Sequence, residues 1–246
     1  MATSIACINE GCEFPRLRAN SLLICDDGLW SVVDCGGRHD RTSILGGLTS
    51  RGIDPSRIEV LFLTHLHFDH CENSDLFDRA EIVVHREEYE FMDRLLSEPS
   101  VDGLRALLST AYDCMPPFYL RTILRRLADC RPDYARLIAD RGRLRLIEGD
   151  HSKIGGFEII KTSGHSVGHV SIGLRLPEPV WIAGDAVVSL RAWQEPGQTS
   201  QHLCWRLQDE RSSRAVLGGL DGVLVPGHGS PFIIRTGKPM SFRELE

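Results

Sequence analysis

The segment Thr64-His65-Leu66-His67-Phe68-Asp69-His70 packs three imidazoles and one carboxylate into six residues, directly after an apolar run that starts at Val60. His65 and His67 are two residues apart, so on an extended strand end they point the same way. Asp69 and His70 follow as a second pair in the loop. Imidazole nitrogen with carboxylate oxygen suits zinc, and also iron or manganese. Four potential ligands at this density are enough for two ions. A chance histidine-rich turn is the plainer alternative, and the apolar strand before it argues against that.

Three later positions repeat one pattern of strand, small residue, ligand: Gly164-His165, Gly184-Asp185, and Gly227-His228 within Pro226-Gly227-His228-Gly229. Glycine lets the backbone turn sharply where the ligand must sit at a strand end. Each alone is weak. Together with the earlier segment they read as a metal site fed by several strand ends.

The elements that must carry these residues are mostly short strands. Ser21–Cys25 and Trp30–Asp34 flank Asp26-Asp27-Gly28 as a hairpin. A helix is expected over Asp40–Ser50. Val60–Thr64 and Ile82–His85 read as strands. From Arg86 to about Asp140 the periodicity is helical, with Leu120, Ile123, Leu124 and Leu127 on one face and Pro116-Pro117 as a break. Strands return at Leu144–Ile147, Phe157–Lys161, Val170–Leu174, Val180–Ala183 and Val223–Val225, and a helix near Ser200–Leu217 interrupts them. This order predicts an α/β (α+β) domain: two packed sheets with helices outside, and a helical insertion over about residues 86–140.

Size and composition agree. The 246 residues, 42% hydrophobic and 25% charged, suit one globular domain over 1–246 and exclude a disordered or fibrous chain. A net charge of −6 argues against a nucleic-acid partner. No stretch approaches 18 consecutive apolar residues, so no membrane partner is expected. The N-terminal residues lack a basic and apolar leader, and the eight cysteines then read as thiols in a reducing cytoplasm.

These motifs, with the early turn Val33-Asp34-Cys35-Gly36-Gly37, resemble the metallo-β-lactamase superfamily over most of the chain outside the insertion. The resemblance implies a four-layer αβ/βα sandwich and two bound ions, zinc first, iron or manganese otherwise. It assigns His65, His67 and His165 to one ion, Asp69, His70 and His228 to the other, and Asp185 to both. Asp34 is then the supporting residue behind the ligands. His169 reads as a packed or supporting histidine.

Two ions sharing a hydroxide make metal-assisted hydrolysis the expected reaction, with Asp69 or Asp185 relaying a proton as catalytic residues. The Gly-Asp bridge and Phe68 are more similar to the lactonase and thioesterase branches, glyoxalase II among them, than to true β-lactamases. The expected function is therefore hydrolysis of a lactone, ester or thioester carbonyl in a small molecule. The run Asp185-Ala186-Val187-Val188-Ser189 lacks the tyrosine that acyl-homoserine lactonases carry there. Only 18 residues follow His228, short of glyoxalase II's helical domain. Persulfide dioxygenases share the ligand set, so a mononuclear iron oxygenase is the alternative. Dimers occur in the superfamily, and a homodimer is compatible with it. Phe118, Tyr119 and Trp193 are the expected pocket residues, together with Met92, Leu95, Tyr112 and Met115. Plain packing of the insertion on the sandwich is the competing reading of these side chains.

Overall fold

The computed structural model describes residues 3–13, 17–195 and 203–245. Among these residues, twelve strands form two six-stranded sheets. The first holds β1 (Ser4–Asn9), β2 (Ser21–Asp26), β3 (Leu29–Val33), β4 (Val60–Phe62), β5 (Glu81–His85) and β6 (Leu144–Ile147), side by side in that order. The second holds β7 (His151–Ile154), β8 (Phe157–Lys161), β9 (Val170–Leu174), β10 (Val180–Gly184), β11 (Val223–Pro226) and β12 (Phe232–Ile233).

Local chemistry explains the pairing. Asp26 pairs with Leu29 across a two-residue turn in which Asp27 and Gly28 both have positive φ, 49° and 89°. That geometry matches the twist of the flanking antiparallel strands. From β3 to β6 the pairing is parallel, which needs crossovers. The first crossover is α1 (Arg41–Thr49). The second carries α2 (Phe68–Cys71). The third is filled by α3 (Arg86–Ser97), α4 (Val101–Ala111) and α5 (Pro117–Ala139). The break expected at Pro116-Pro117 is the start of α5, where a missing N–H costs nothing.

Three buried clusters define four layers. Leu22, Ile24, Val33, Phe62 and Val83 of the first sheet face Phe157, Ile159, Ile172, Ile182 and Val225 of the second. The outer face of the first sheet, including Leu23, Leu61 and Ile82, meets Ile44 and Leu48 of α1 and the helices of the insertion. Beyond the second sheet, Trp181 and Leu224 pack with Leu217 of α7 (Leu207–Gly218) and with α6 (Leu190–Gln194). A short α8 (Phe242–Leu245) packs Phe242 into the inter-sheet core. No helix among the described residues is long and apolar enough to cross a membrane.

Three strands escape the hydropathy pattern. β1 is a half-exposed edge strand, β7 has no buried residue, and β12 is two residues long. The helix expected over 200–217 begins later, at Leu207; residues 196–202 lie outside the described chain. α6 lies upstream of them.

Candidate metal centre

Five strand ends meet at one edge of the sandwich: β3, β4, β8, β10 and β11. Parallel strands bring their C-terminal ends together, the place where α/β folds build sites. β4 ends into the histidine segment, β8 into Gly164-His165, β10 into Gly184-Asp185 and β11 into Gly227-His228. His65, His67, Asp69, His70, His165, Asp185 and His228 come together there in three overlapping triads, each with its donor atoms within 4.8 Å of one another. Two glycines allow the approach. Gly184 has φ +50°, and a Cβ on it would meet His169 Nε2 and Thr64 Oγ1 at 2.8 Å. A Cβ on Gly227 would collide with Asp185 Oδ1.

Hydrogen bonds behind the histidines decide which nitrogens face inward. Thr64 Oγ1 donates to Asp34 Oδ2 at 2.7 Å, so its oxygen accepts from His65 Nδ1 at 3.1 Å. That leaves the lone pair of His65 on Nε2. His67 Nε2 pairs with Tyr112 Oη at 3.3 Å, and its Nδ1 faces inward. His70 Nδ1 donates to Asp34 Oδ2 at 2.8 Å, and His228 Nδ1 to the Arg18 carbonyl at 2.7 Å. Partners of this kind orient metal-binding imidazoles. The inward atoms crowd: His67 Nδ1 lies 3.0 Å from His65 Nε2 and 2.9 Å from His165 Nε2. Three imidazole nitrogens facing one point match the donor set of a cation.

The second triad is similar. His70 Nε2 and Asp185 Oδ1 are buried without a hydrogen bond, 3.4 Å apart. Asp185 Oδ1 is also 3.3 Å from His228 Nε2, and Oδ2 is 3.3 Å from His165 Nε2. Asp185 therefore borders both groups of histidines. Asp69 Oδ2 is 3.7 Å from His228 Nε2.

The electrostatics divide the same way. Burial holds His65 and His165 well below the ordinary histidine value and His67 at about 4, so these three stay neutral. Burial opposes charge on His228 too, yet Asp185 pushes it up to about 9. His70 is also raised against burial, by Asp185, Asp34 and Asp69. Burial raises Asp69. It works against Asp185 as well, but His228, His70 and His165 pull that carboxyl well below its usual range. The carboxylates demand positive charge at this spot, and a divalent cation supplies it more fully than imidazolium. Donor set, unpaired atoms and charge demand all fit metal ions.

Asp34, the supporting residue expected from the sequence, stands at φ +55°, a conformation that costs a side-chain-bearing residue about 1–3 kcal/mol. Three hydrogen bonds hold it: Thr64 N–H reaches Oδ1 at 2.8 Å, and Thr64 Oγ1 and His70 Nδ1 reach Oδ2. His169 belongs to none of the three triads. Its Nδ1 meets Thr162 Oγ1 at 2.9 Å and its Nε2 accepts from Ala186 N–H at 3.2 Å, which fixes the turn after Asp185.

The cleft over the site is lined by His67, Phe68, Asp69, Tyr119, Val188 and His228, among others. Tyr119 is in place. Phe118 and Trp193 are not. Phe118 is 61% exposed on the other side of α5, and Trp193 packs on Phe232 with Arg214 over its ring. Helical phase turns Phe118 outward once Tyr119 faces in. Trp193 falls on α6, which belongs to the outer layer.

Sequence reading missed the residues that brace the loops. Glu88, buried on α3, accepts from Leu66 N–H at 3.0 Å, Ser166 Oγ at 2.8 Å and Gly168 N–H at 2.9 Å. Its signal was available: a carboxylate at position 88 on the helix face that Met92 and Leu95 mark as apolar. Asn20 donates to the carbonyls of Pro226 and Gly229, both at 2.8 Å, and holds the His228 turn. Nothing local marks Asn20, whose partners lie over 200 residues away.

The family model of the metallo-beta-lactamase superfamily matches residues 15–228. The chain is a member of this superfamily. Similar curated relatives include metallo-beta-lactamase domain-containing protein 1 of Xenopus laevis, 26% identical over 89% of this chain and 74% of its own length. An N-acyl homoserine lactonase of Bacillus thuringiensis is 26% identical over 49% of the chain, which spans only 34% of that enzyme. Among solved structures, a metallo-beta-lactamase family protein of Thermus thermophilus superposes with a TM-score of 0.67 over 98% of this chain and 78% of its own, at 21% identity. AidC, a dizinc quorum-quenching lactonase, gives 0.68 over 91% and 79%, at 17% identity. This superfamily member therefore has the four-layer sandwich expected from its motifs and a metal-binding cluster of histidines and aspartates at the usual edge of strands.

Proposed function

We propose that residues 1–246 act as one unit, a cytoplasmic, binuclear zinc-dependent hydrolase of a lactone, ester or thioester carbonyl in a small molecule. One observation carries this reading: four histidines have one ring nitrogen engaged by a named partner, and their other ring nitrogens converge beside Asp185. His65, His67 and His165 would hold one ion, Asp69, His70 and His228 the other, and Asp185 both. When bound, the pair supplies Lewis acidity that activates water and polarises the carbonyl. The chain's own residues do the rest. Phe68 and Tyr119 wall the cleft and exclude bulk water from the reacting carbonyl. Asp69, on the cleft wall, passes the proton released by water toward the leaving group. The lactonase among the relatives and the superposition on a dizinc lactonase support the substrate class.

The test is metal content by mass spectrometry on protein purified without added metal or chelator, followed by a lactone, ester and thioester panel. About two zinc ions per chain and turnover of at least one class are expected. His67→Ala and Asp185→Asn should each lose metal and at least 10²-fold in kcat/KM. About one iron per chain, with no ester turnover, would overturn the reading in favour of oxygen chemistry.

A further inference from the structure

Asp40 stands at the N-cap of α1 but makes no hydrogen bond to the first N–H groups of that helix, the usual task of an aspartate there. Its side chain is fully buried and turned elsewhere. Oδ2 accepts from Gly37 N–H at 3.0 Å, with His39 Nε2 at 3.5 Å. Oδ1 lies 2.6 Å from Arg18 Nε, and the Arg18 side chain is 30% exposed. Gly36, at φ +66°, permits the fit: a Cβ there would meet Asp40 Cβ at 2.9 Å.

The backbone of Arg18 is what holds His228. Its carbonyl accepts from Cys12 N–H at 2.8 Å and from His228 Nδ1 at 2.7 Å. A carbonyl oxygen only accepts, so Nδ1 carries the hydrogen and Nε2 is left to face Asp185. Arg18 N–H returns to the Cys12 carbonyl at 3.1 Å, and beside this bridge the Gly11 carbonyl accepts from Gly229 N–H at 3.2 Å. The backbone at residue 18 thus sets where the imidazole sits. Asp40 fixes that backbone from behind, through the guanidinium of the same residue. A buried ion pair is weak evidence for added stability; here its consequence is one of position.

We propose that Asp40, acting through Arg18, is a positioning residue for His228 and so for one of the two ions. The inference rests on the two-ion reading above and deepens it by separating the ions. His65 and His67 take their orientation from Thr64 and Tyr112, outside this chain of contacts. Loosening Arg18 should therefore weaken the ion held with His228 and spare the other.

The experiment titrates zinc into the metal-free full chain against a chromophoric competitor. In Asp40→Asn the side-chain oxygen keeps the bond from Gly37, and the attraction for Arg18 is lost. One zinc should bind about tenfold more weakly, the low end for losing a supporting partner, and the other within twofold of the parent. Arg18→Met should do the same, and the double variant should be no worse than either single one, as coupled residues require. Arg18→Lys, which restores a cation, should recover most of the affinity. Two unchanged affinities in Asp40→Asn overturn the proposal. Equal weakening of both ions also overturns it, because a merely structural role loosens the whole edge. A second readout needs no metal: exchange of the His228 Nδ1–H with water, followed by NMR on chain labelled with ¹⁵N-histidine. Asp40→Asn should speed this exchange at least tenfold. Fewer than two zinc ions in the parent refutes the two-ion reading, and the exchange rate then decides the Asp40 inference by itself, with an unchanged rate overturning it.

Discussion

Asp34 shows how one residue can be costly for the backbone and necessary for the site. Its positive φ is tolerated because two oxygens take three hydrogen bonds from Thr64 and His70, and through Thr64 it also orients His65. One carboxylate thus fixes the inward nitrogen of two histidines that the proposed function assigns to different ions. Asn in its place keeps the shape but presents an N–H₂ to at least one donor. We expect Asp34→Asn to weaken metal binding about 10–100-fold, the usual cost of losing such a partner, while Asp34→Gly relieves the backbone and loses the metal all the same. Zinc titration against a chromophoric competitor measures both. If Asp34→Gly bound metal as tightly as the parent, Asp34 would have no orienting role.

At the scale of elements, the insertion is tied to the site by more than hydrophobic contact. α3 places Glu88 where it staples the His67 segment to the His165 turn, two loops from different sheets. Glu88→Gln retains one acceptor and leaves an amide N–H₂ facing a buried donor, with a cost of about 1–3 kcal/mol. For a chain of this size that is a fall in Tm of roughly 2–12 °C, read by circular dichroism. No change in Tm would mean that the staple carries no weight. The same element shows what the sequence discloses and what it hides. Seven donor residues were legible because metal chemistry restricts residue type and because each stands beside a glycine or a strand end. The core strands were legible for their runs of buried apolar residues. Asn20 was not, since its partners are backbone groups over 200 residues away, which leave no mark on composition, and Glu88 showed only as a carboxylate on an apolar helix face with nothing to name its partners. Phe118 and Trp193 failed for a related reason: an aromatic side chain looks alike whether it faces a pocket, a core or solvent, and only the phase of its helix decides.

Across the whole molecule, the site joins the two halves of the sandwich. His65, His67, Asp69 and His70 belong to the first sheet's crossover, whereas His165, Asp185 and His228 hang from the second sheet. A cation bound among them crosslinks the two sheets at their open edge and exists only in the folded state, because the seven donors are spread over more than 160 residues of chain. Ligands that bind only the native state stabilise it by RT ln(1 + [L]/Kd), about 2.7 kcal/mol at a hundredfold excess over Kd. Scanning calorimetry should therefore show a Tm that rises with free zinc and falls by at least roughly 5 °C when a chelator removes it. In Asp185→Asn, which lacks the group bordering both triads, the two traces should nearly coincide. Identical melting of the parent chain with zinc and with chelator would mean that the sheets are not joined through metal. The convergent donors would then be a packed polar cluster whose charges compensate one another, as the opposed shifts of His228 and Asp185 already do in part.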